Sequence, residues 1–237
     1  MRWWIFQAVI LAAGKGSRLD SITKNIPKCL LEIGQKTILD RQIEILEKNG
    51  VNDIIIVAGY KINLIKEHFV KNTIKIINNN KYDIFDGLYS ILCTKDFIKD
   101  DSFICIYGDL IFNEKLISSF LKFNGASIIV DKPTYDHDSH SVILDNDFVK
   151  NIDFDYKNQK PSAQFIGISK FPKNSIGLFK KTLDIFYENN DFNGEYVRII
   201  KSLLKQNMVI RAFFVNNEIW ININDEKKLR LAKTFFK

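Results

Sequence analysis

The chain has 237 residues, of which 46% are hydrophobic and 26% charged, a composition typical of one large globular domain. Its formal charge of +6 comes from 34 basic and 28 acidic residues spread along the sequence. This distribution argues against a nucleic-acid-binding protein and favours small anionic ligands. The three cysteines lack C-x-x-C spacing, so we expect reduced thiols in a cytoplasmic protein.

The N-terminal segment has two readings. Arg2 and a short apolar run that ends in small residues imitate a secretory signal peptide. Cleavage, however, would remove the strand that carries the glycine-rich loop described below. We therefore interpret the run as a buried first strand. It is too short to span a membrane, and no later segment has the required length.

The first part of the chain is predicted to alternate between strands and helices, because apolar runs of strand length alternate with helical spacing of apolar residues. Thr37 and Asp40 resemble a capping box, and Asn49-Gly50 ends the helix behind them. The predicted elements, in chain order, are strand 7–11, loop 12–26, helix 37–50, strand 53–58, helix 61–69, strand 73–77, loop 78–87, helix 88–94 and strand 103–107.

The second half is predicted to contain short strands between turn-forming residues, and then helices. The predicted elements are strands 126–130, 141–144, 148–152 and 165–170, helices 174–189 and 195–205, strands 209–215 and 219–221, and a closing helix 225–236. The whole pattern predicts an α/β fold with a Rossmann-like mixed, mostly parallel sheet, helices on both faces and a small antiparallel extension on the substrate side.

A glycine-rich basic loop follows the first strand. Gly14 and Gly16 allow positive φ and let backbone N–H groups approach a ligand closely, and such groups bind phosphate. Lys15 and Arg18 add positive charge. The loop lacks the spacing of a Walker-type P-loop and the third glycine of a dinucleotide fingerprint.

Two more charged residues are expected near this loop. Lys28 follows Pro27 a short distance along the chain, and Asp109 follows strand 103–107. Because ligands of α/β folds bind at the carboxyl ends of the parallel strands, the loop and Asp109 are predicted to share one crevice.

The stretch Ala12-Ala13-Gly14-Lys15-Gly16-Ser17-Arg18-Leu19, followed by Pro27-Lys28-Cys29-Leu30, resembles the nucleotidyltransferase superfamily, which joins a nucleoside triphosphate to a phosphorylated small molecule. Segments 80–91, 107–109, 161–169 and 218–224 are similar to bacterial choline-phosphate cytidylyltransferases and their phosphonate- and phosphoamide-using relatives. The similarity covers nearly the whole chain.

The resemblance implies a Mg²⁺-dependent cytidylyltransferase. It would join CMP from CTP to a phosphocholine-like, aminoethylphosphonate-like or phosphoamide acceptor, with release of pyrophosphate, for modification of a bacterial surface polysaccharide or lipopolysaccharide. CTP and the acceptor are the implied partners, without nucleic acid or membrane, and a homodimer is left open. We expect one domain, 1–237, with a nucleotide-binding half (1–110) and an acceptor-binding half (111–237).

The resemblance also implies roles for individual residues. The expected catalytic residues are Lys28, Arg18 and Asp109. The expected nucleotide-binding residues are Leu11, Ala12, Ala13, Gly14, Lys15, Gly16, Ser17, Arg18, Asn80 and Ser90. The expected acceptor-binding residues are Lys28, Tyr107, Phe165, Glu195 and Trp220. The expected metal ligands are Asp109 and Asn224, with Asn222 as the competing alignment.

Departures from the family pattern keep two alternatives open. The chain lacks the P-L-G-T-A-G-like motif of the sugar branch, which disfavours a sugar-1-phosphate nucleotidyltransferase. Asn222 and Asn224 stand where the choline-type branch has aspartate, so a catalytically inactive nucleotide-binding subunit is the second alternative. Asp86-Gly87 stands where that branch often has asparagine, so the contact of this segment with the base or the substrate is left open.

Three local interpretations are also open. Asn224 could serve only as the N-cap of the last helix. Tyr107, Tyr135, Phe165 and Trp220 could form an aromatic wall around a quaternary amine, although aromatic residues in strands more often belong to the core. The H-x-x-H pair of His137 and His140 imitates a metal site, but we interpret both residues as solvated loop residues.

Overall fold

The computed structural model describes residues 6–71, 73–133, 140–153 and 160–237, without the side chains of residues 20 and 21. Its strands are β1 (Phe6–Ala12), β2 (Glu32–Ile33), β3 (Lys36–Thr37), β4 (Asp53–Ala58), β5 (Lys75–Asn78), β6 (Ser102–Tyr107), β7 (Leu110–Phe112), β8 (Ser127–Asp131), β9 (His140–Asp145), β10 (Phe148–Asp153), β11 (Ala163–Phe171), β12 (Arg211–Phe214) and β13 (Trp220–Asn222). Its α-helices are α1 (Asp20–Thr23), α2 (Ile38–Lys48), α3 (Ile62–His68), α4 (Gly87–Leu92), α5 (Glu114–Lys122), α6 (Lys173–Glu188), α7 (Val197–Lys205) and α8 (Glu226–Phe235). Single 3-10 turns cover Ser17–Leu19 and Lys28–Leu30.

Nine strands form one twisted mixed sheet in the order β5-β4-β1-β6-β11-β8-β12-β10-β9. The four strands β5, β4, β1 and β6 run parallel, as their buried apolar sequences predict. From β11 onward the pairs are antiparallel, except that β12 runs parallel to β8. β9 also pairs with β11, so the antiparallel part curls on itself. The predicted α/β class with a mixed sheet is confirmed.

Helix α2 shows how local sequence positions the elements near the parallel strands. The Thr37 hydroxyl accepts a hydrogen bond from the Asp40 amide, and the Asp40 carboxylate accepts one from the Thr37 amide, so the predicted capping box is present. Leu39, Ile43 and Leu46 are buried and pack in the cluster that covers this face of the sheet.

Some elements of the structure were not predicted from the sequence. Helix α5 is capped by the Asn113 side chain and buries Leu116, Ile117 and Phe120, yet its sequence was not recognised as a helix. The two-residue strands β2 and β3 form a hairpin outside the large sheet. Strand β7 pairs with β13, which lies about half the chain away. Such short pairs depend on distant partners and leave little local periodicity.

The edge where the parallel strands end determines where the site lies. β1 and β6 are in parallel register, so that Leu11 stands beside Tyr107. The loops after these two strands therefore open at the same edge of the sheet, as predicted. Among the helices that the structure describes, none combines the length and apolar character needed to cross a bilayer.

Candidate active site

The loop after β1 is shaped by Gly16, which has a φ of +71°. A Cβ atom at this position would lie 3.2 Å from the Cβ of Lys28, so a glycine lets the loop pack against the Lys28 side chain. The Thr23 hydroxyl donates to the carbonyl oxygens of Gly16 and Leu19, at 3.1 and 3.0 Å. The glycine-rich loop and Lys28 are therefore one packed unit.

Lys28 begins a 3-10 turn directly after Pro27, and the Leu30 amide closes the turn on the Pro27 carbonyl at 2.9 Å. From this turn the Lys28 Nζ atom donates to Asp109 Oδ2 at 2.6 Å and to Asn224 Oδ1 at 2.9 Å. The Lys28 and Asp109 side chains are only 12% and 27% exposed. One ammonium group thus joins three segments that are distant in sequence.

Asp109 lies in the two-residue connection between β6 and β7. The Gly108 amide donates to the Leu11 carbonyl at 2.8 Å. A Cβ atom on Gly108 would lie 2.7 Å from the Cβ of Ala12, so this close approach to β1 requires glycine. The Asp109 carbonyl accepts from the Ile223 amide at 2.9 Å. That bond ties the connection to the segment that carries the predicted second metal ligand.

Two asparagines extend from the end of β13 toward the same space. Asn224 is buried, and its side-chain oxygen accepts from Lys28. The Oδ1 atom of Asn222 is also buried, and it accepts no hydrogen bond from the residues that the structure describes. The cap of α8 is Asp225, whose carboxylate accepts from the Lys228 amide at 2.7 Å. The interpretation of Asn224 as only a helix cap is therefore wrong.

These oxygens are suited to a hard cation. Within the described ranges, no three His, Cys, Asp or Glu side chains gather around a metal-sized space. The site offers the Asp109 carboxylate together with the amide oxygens of Asn222 and Asn224. Mg²⁺ binds such oxygens and completes its coordination with water and with substrate phosphates. The unsatisfied Asn222 oxygen is an additional acceptor, so the donor set fits a divalent cation bound together with a nucleotide.

The groups described above line a cavity of about 380 Å³. Of the residues predicted from the sequence, the cavity wall includes Leu11, Ala12, Ala13, Gly14, Lys15, Gly16, Ser17, Arg18, Lys28, Ser90, Tyr107, Asp109, Glu195, Asn222 and Asn224. The predicted crevice at the ends of β1 and β6 is therefore a real concave site.

Glu195 is a partly buried carboxyl group on the cavity wall. Burial raises its pKa to about 7, and the negative charges of Asp86 and Asp109 act in the same direction. A hydrogen bond from the Gly87 amide and the charge of Arg18 oppose this shift. A Cβ atom on Gly87 would lie 2.9 Å from Glu195 Oε2, so the glycine makes room for the carboxylate.

Tyr107 and His140 are neighbouring rings on the wall, with ring centroids 6.4 Å apart. The Tyr107 hydroxyl is buried and makes no hydrogen bond within the described part of the chain. Burial lowers the pKa of His140 to about 4, so this imidazole is neutral near pH 7. The interpretation of His140 as a solvated loop residue is wrong, because it begins β9 and pairs with Phe165 of β11.

Asn80 lies outside the cavity and is exposed to solvent. Its neighbour Asn79 is fully buried and lines the wall instead. The Asn79 Nδ2 atom donates to Ser90 Oγ at 3.0 Å, and its Oδ1 accepts from the Lys81 amide at 2.9 Å. The structure therefore places Asn79, and not the expected Asn80, on the cavity wall.

Of the four aromatic residues considered for a wall around a quaternary amine, only Tyr107 lines the cavity among those that the structure describes. Phe165 is buried behind Tyr107, with ring centroids 5.9 Å apart, and does not line the cavity. The Trp220 indole N–H donates to Asp131 Oδ2 at 2.7 Å, which turns this ring away from the cavity. Tyr135 and His137 lie outside the described residues.

Eight wall residues are not among those expected from the sequence, namely Cys29, Asn79, Tyr82, Phe85, Asp86, Gly87, Gly108 and His140. Five of them, from Asn79 to Gly87, lie in or next to the polar loop before α4. An available signal was the position of this loop directly after β5, at the same edge as the glycine-rich loop. The loop sequence has no helical or strand periodicity. The sequence therefore does not indicate which of its side chains face the cavity.

A glycine-rich loop with two cations lies opposite a carboxylate and two amides across a concave site. Such an arrangement is suited to binding phosphate anions. Residues 8–165 match the family described as the MobA-like NTP transferase domain. The chain belongs to this family and is a nucleotidyltransferase.

Three comparisons describe its relatives. The chain is 30% identical to the CTP:phosphoglutamine cytidylyltransferase of Campylobacter jejuni over 215 residues, which cover 80% of this chain and 84% of that protein. It is 30% identical to the D-glycero-alpha-D-manno-heptose 1-phosphate guanylyltransferase of the same species over 204 residues, covering 85% of this chain and 86% of that one. The CTP:phosphocholine cytidylyltransferase of Streptococcus pneumoniae shares the fold, with a TM-score of 0.81 and 22% identity over 98% of this chain and 100% of that chain.

Proposed function

We propose that this nucleotidyltransferase transfers CMP from CTP to a small phosphorylated or phosphonate acceptor and releases pyrophosphate. The observation that carries the proposal is the Lys28 ammonium, which contacts both Asp109 and Asn224 at the mouth of the glycine-rich loop. A cation in this position lies where two anionic substrates would meet. The names of the cytidylyltransferase relatives support the choice of CTP.

The proposed reaction exchanges one P–O bond for another. An oxygen of the acceptor phosphate or phosphonate forms a bond to the α-phosphorus of CTP, and the bond from the α-phosphorus to the bridging oxygen breaks. Pyrophosphate leaves with that electron pair. Because both substrates are anions, the protein contributes mainly position and positive charge.

The chain supplies these contributions from its own residues. The backbone N–H groups of 14–17 and the Arg18 guanidinium would hold the triphosphate. Lys28 would lie between the two reacting anions and stabilise the negative charge that develops there. Asp109, Asn222 and Asn224 would hold Mg²⁺. When bound, this ion supplies further positive charge to the phosphate oxygens.

Glu195 and Tyr107 would select the acceptor. Glu195 is a partly buried carboxyl with a pKa of about 7, and an ammonium group of the acceptor would stabilise its charged form. The Tyr107 hydroxyl is a buried hydrogen-bonding group without a partner among the described residues. An acceptor with a positively charged or amide head group would satisfy both side chains.

A sugar 1-phosphate is the competing acceptor. The similarity to the heptose 1-phosphate guanylyltransferase supports it, whereas the missing P-L-G-T-A-G-like motif opposes it. A CDP-linked product would suit decoration of a bacterial surface polysaccharide or lipopolysaccharide. We also propose that 1–110 carries the nucleotide contacts and, through Lys28 and Tyr107, part of the acceptor contacts, and that 111–237 adds Glu195 on the acceptor side.

A grid of substrates tests the proposal. CTP, UTP, GTP and dTTP are each combined with phosphocholine, phosphoethanolamine, 2-aminoethylphosphonate, a phosphoamide, glycerol phosphate and sugar 1-phosphates, with and without Mg²⁺. We expect pyrophosphate only with CTP, Mg²⁺ and a non-sugar acceptor. Release with a sugar 1-phosphate would favour the alternative, and no release in any well would contradict both proposals and favour a nucleotide-binding subunit without activity.

A further inference from the structure

Gln42 is a polar residue on the apolar face of α2. Its neighbours on that face, Leu39, Ile43 and Leu46, belong to the hydrophobic cluster over the sheet. Gln42 itself is only 1% exposed. Burial of an amide costs free energy unless it is hydrogen-bonded, so a leucine would be the simpler residue here. The contacts of Gln42 indicate what the amide does instead.

The Gln42 Nε2 atom donates to two carbonyl oxygens, those of Tyr107 at 2.9 Å and Leu110 at 2.7 Å. These two residues lie on either side of Gly108 and Asp109. The amide therefore uses both of its N–H groups to hold the two ends of the connection that presents Asp109. Its Oε1 atom is buried and has no hydrogen-bond partner within the described ranges, so the residue serves the connection through its donors alone.

The backbone of the connection is held from two other directions. The Gly108 amide donates to the Leu11 carbonyl, which fixes it to β1, and the Asp109 carbonyl accepts from the Ile223 amide. Gln42 adds the third support, from α2. These supports leave the Asp109 side chain directed at Lys28, 2.6 Å from its ammonium nitrogen.

We infer that Gln42 is a positioning residue, which holds the 107–110 connection so that the Asp109 carboxylate faces the second ligand segment. Gln42 is not among the residues that line the cavity, and it acts through Asp109. The inference rests on the proposed function, because it assumes that Asp109 binds the metal. Outer groups that orient a metal ligand commonly affect metal affinity or activity by about 10- to 100-fold.

The chain contains a matched control for this inference. Gln7 is also buried, at 4% exposed, and its Nε2 donates to Asp53 Oδ2 at 3.0 Å and to the Phe97 carbonyl at 3.2 Å. It lies at the beginning of β1, at the opposite end of the strand from the cavity. Gln7→Leu and Gln42→Leu each remove two donated hydrogen bonds of a buried amide, and Gln7→Leu also removes the bond that Gln7 Oε1 accepts from the Lys99 amide at 3.1 Å. Only Gln42→Leu touches the Asp109 connection.

The experiment compares wild type, Gln42→Leu, Gln7→Leu and Asp109→Ala. Mn²⁺ binding to the protein without nucleotide is measured from the free Mn²⁺ signal in electron paramagnetic resonance, and kcat and the KM for CTP are measured from pyrophosphate release. We expect Gln42→Leu to weaken Mn²⁺ binding and lower kcat by about 10- to 100-fold with little change in the KM for CTP. Gln7→Leu removes one more hydrogen bond, so it should lose at least as much stability to urea as Gln42→Leu while keeping wild-type Mn²⁺ binding and kcat.

Gln42→Asn provides a second variant if Gln42→Leu does not fold. It keeps the amide but is one methylene shorter, so it reaches at most one of the two carbonyl oxygens. Its Mn²⁺ affinity is therefore expected to lie between that of wild type and that expected for Gln42→Leu. The inference is overturned if the Gln42 variants bind Mn²⁺ as Gln7→Leu does while Asp109→Ala loses binding. If Asp109→Ala itself binds Mn²⁺ like wild type, the proposed metal site fails, and the inference fails with it.

Discussion

Replacing Lys28 by methionine should change turnover and metal binding in opposite directions. The Lys28 ammonium contacts Asp109 at 2.6 Å and Asn224 at 2.9 Å. These are two of the oxygens proposed to bind Mg²⁺. The ammonium therefore competes with the ion for these oxygens in the protein without substrates, whereas during the reaction it would stabilise the two phosphate groups.

The charge separation gives the scale of the effect. Unit charges 2.6 Å apart attract each other by about 1.6 kcal/mol in water and by about 6 kcal/mol at an effective dielectric constant of ~20. The pair is partly exposed, so the gross attraction lies between these limits. Loss of one electrostatic stabiliser of a transition state typically costs about 10²- to 10³-fold in kcat, or about 2.7–4 kcal/mol, which falls within the same range.

The assay measures kcat from pyrophosphate release and, separately, Mn²⁺ affinity without nucleotide. For Lys28→Met we expect a kcat that is about 10²- to 10³-fold lower. We also expect Mn²⁺ binding about 10-fold tighter, equivalent to about 1.4 kcal/mol, because a competing cation has been removed. Lys36→Met is the control, since it breaks a 2.5 Å ion pair with Glu44 on the surface and should leave both quantities unchanged.

Two results would refute this reasoning. A Lys28→Met protein with kcat within about threefold of wild type would show that the ammonium does not stabilise the reacting phosphates. Weaker Mn²⁺ binding in the same variant would show that Lys28 supports the metal-binding arrangement and does not compete with the ion.

Three further predictions concern other parts of the molecule. The pKa of Glu195 is raised from 4.5 to about 7. Between pH 4.5 and pH 7 the folded state therefore holds a proton on Glu195 that the unfolded state has lost. The free energy of unfolding falls by up to about 3 kcal/mol as the pH rises through this range. Glu195→Gln should therefore be more stable than wild type at pH 8 and lose this advantage near pH 4.5 in urea denaturation; equal midpoints at pH 8 would contradict the shift. Gly16→Ala places a Cβ atom at positive φ and 3.2 Å from Lys28, which costs about 1–3 kcal/mol. Because this strain distorts the glycine-rich loop, we expect the KM for CTP to rise about tenfold. An unchanged KM would count against a nucleotide-binding loop. The buried Lys170 ammonium donates to the carbonyl oxygens of Phe120, at 2.7 Å, and of Phe123. Lys170→Met should therefore lower the free energy of unfolding by about 2–3 kcal/mol without changing kcat. An unchanged urea midpoint would contradict this prediction.

The features that were predictable from the sequence are those set by neighbouring residues. A continuous apolar run with small residues behind it favours a buried strand followed by a tight loop, and so β1, the glycine-rich loop and the strand before Asp109 were predictable. The capping box of α2 was visible for the same reason, because its partners are three residues apart.

Features that depend on distant partners were not predictable. Residues 78–80 are three consecutive asparagines. Only the pairing of β5 with β4 decides that the side chain of Asn79 faces inward. The β7–β13 pair joins 110–112 to 220–222 and brings Asn224 to Lys28, which no local pattern indicates. Gln42 looked like one more residue of a helix, because its role lies in carbonyl groups far along the chain.

The most direct test of the proposed function is product formation by wild type and Asp109→Ala. CTP, Mg²⁺ and the best acceptor from the substrate grid are followed by ³¹P nuclear magnetic resonance. The proposal predicts that a CMP-linked product and pyrophosphate appear in equal amounts with wild type, and at least about 100-fold more slowly with Asp109→Ala. No CMP-linked product from wild type with any acceptor, or a wild-type rate for Asp109→Ala, would contradict it.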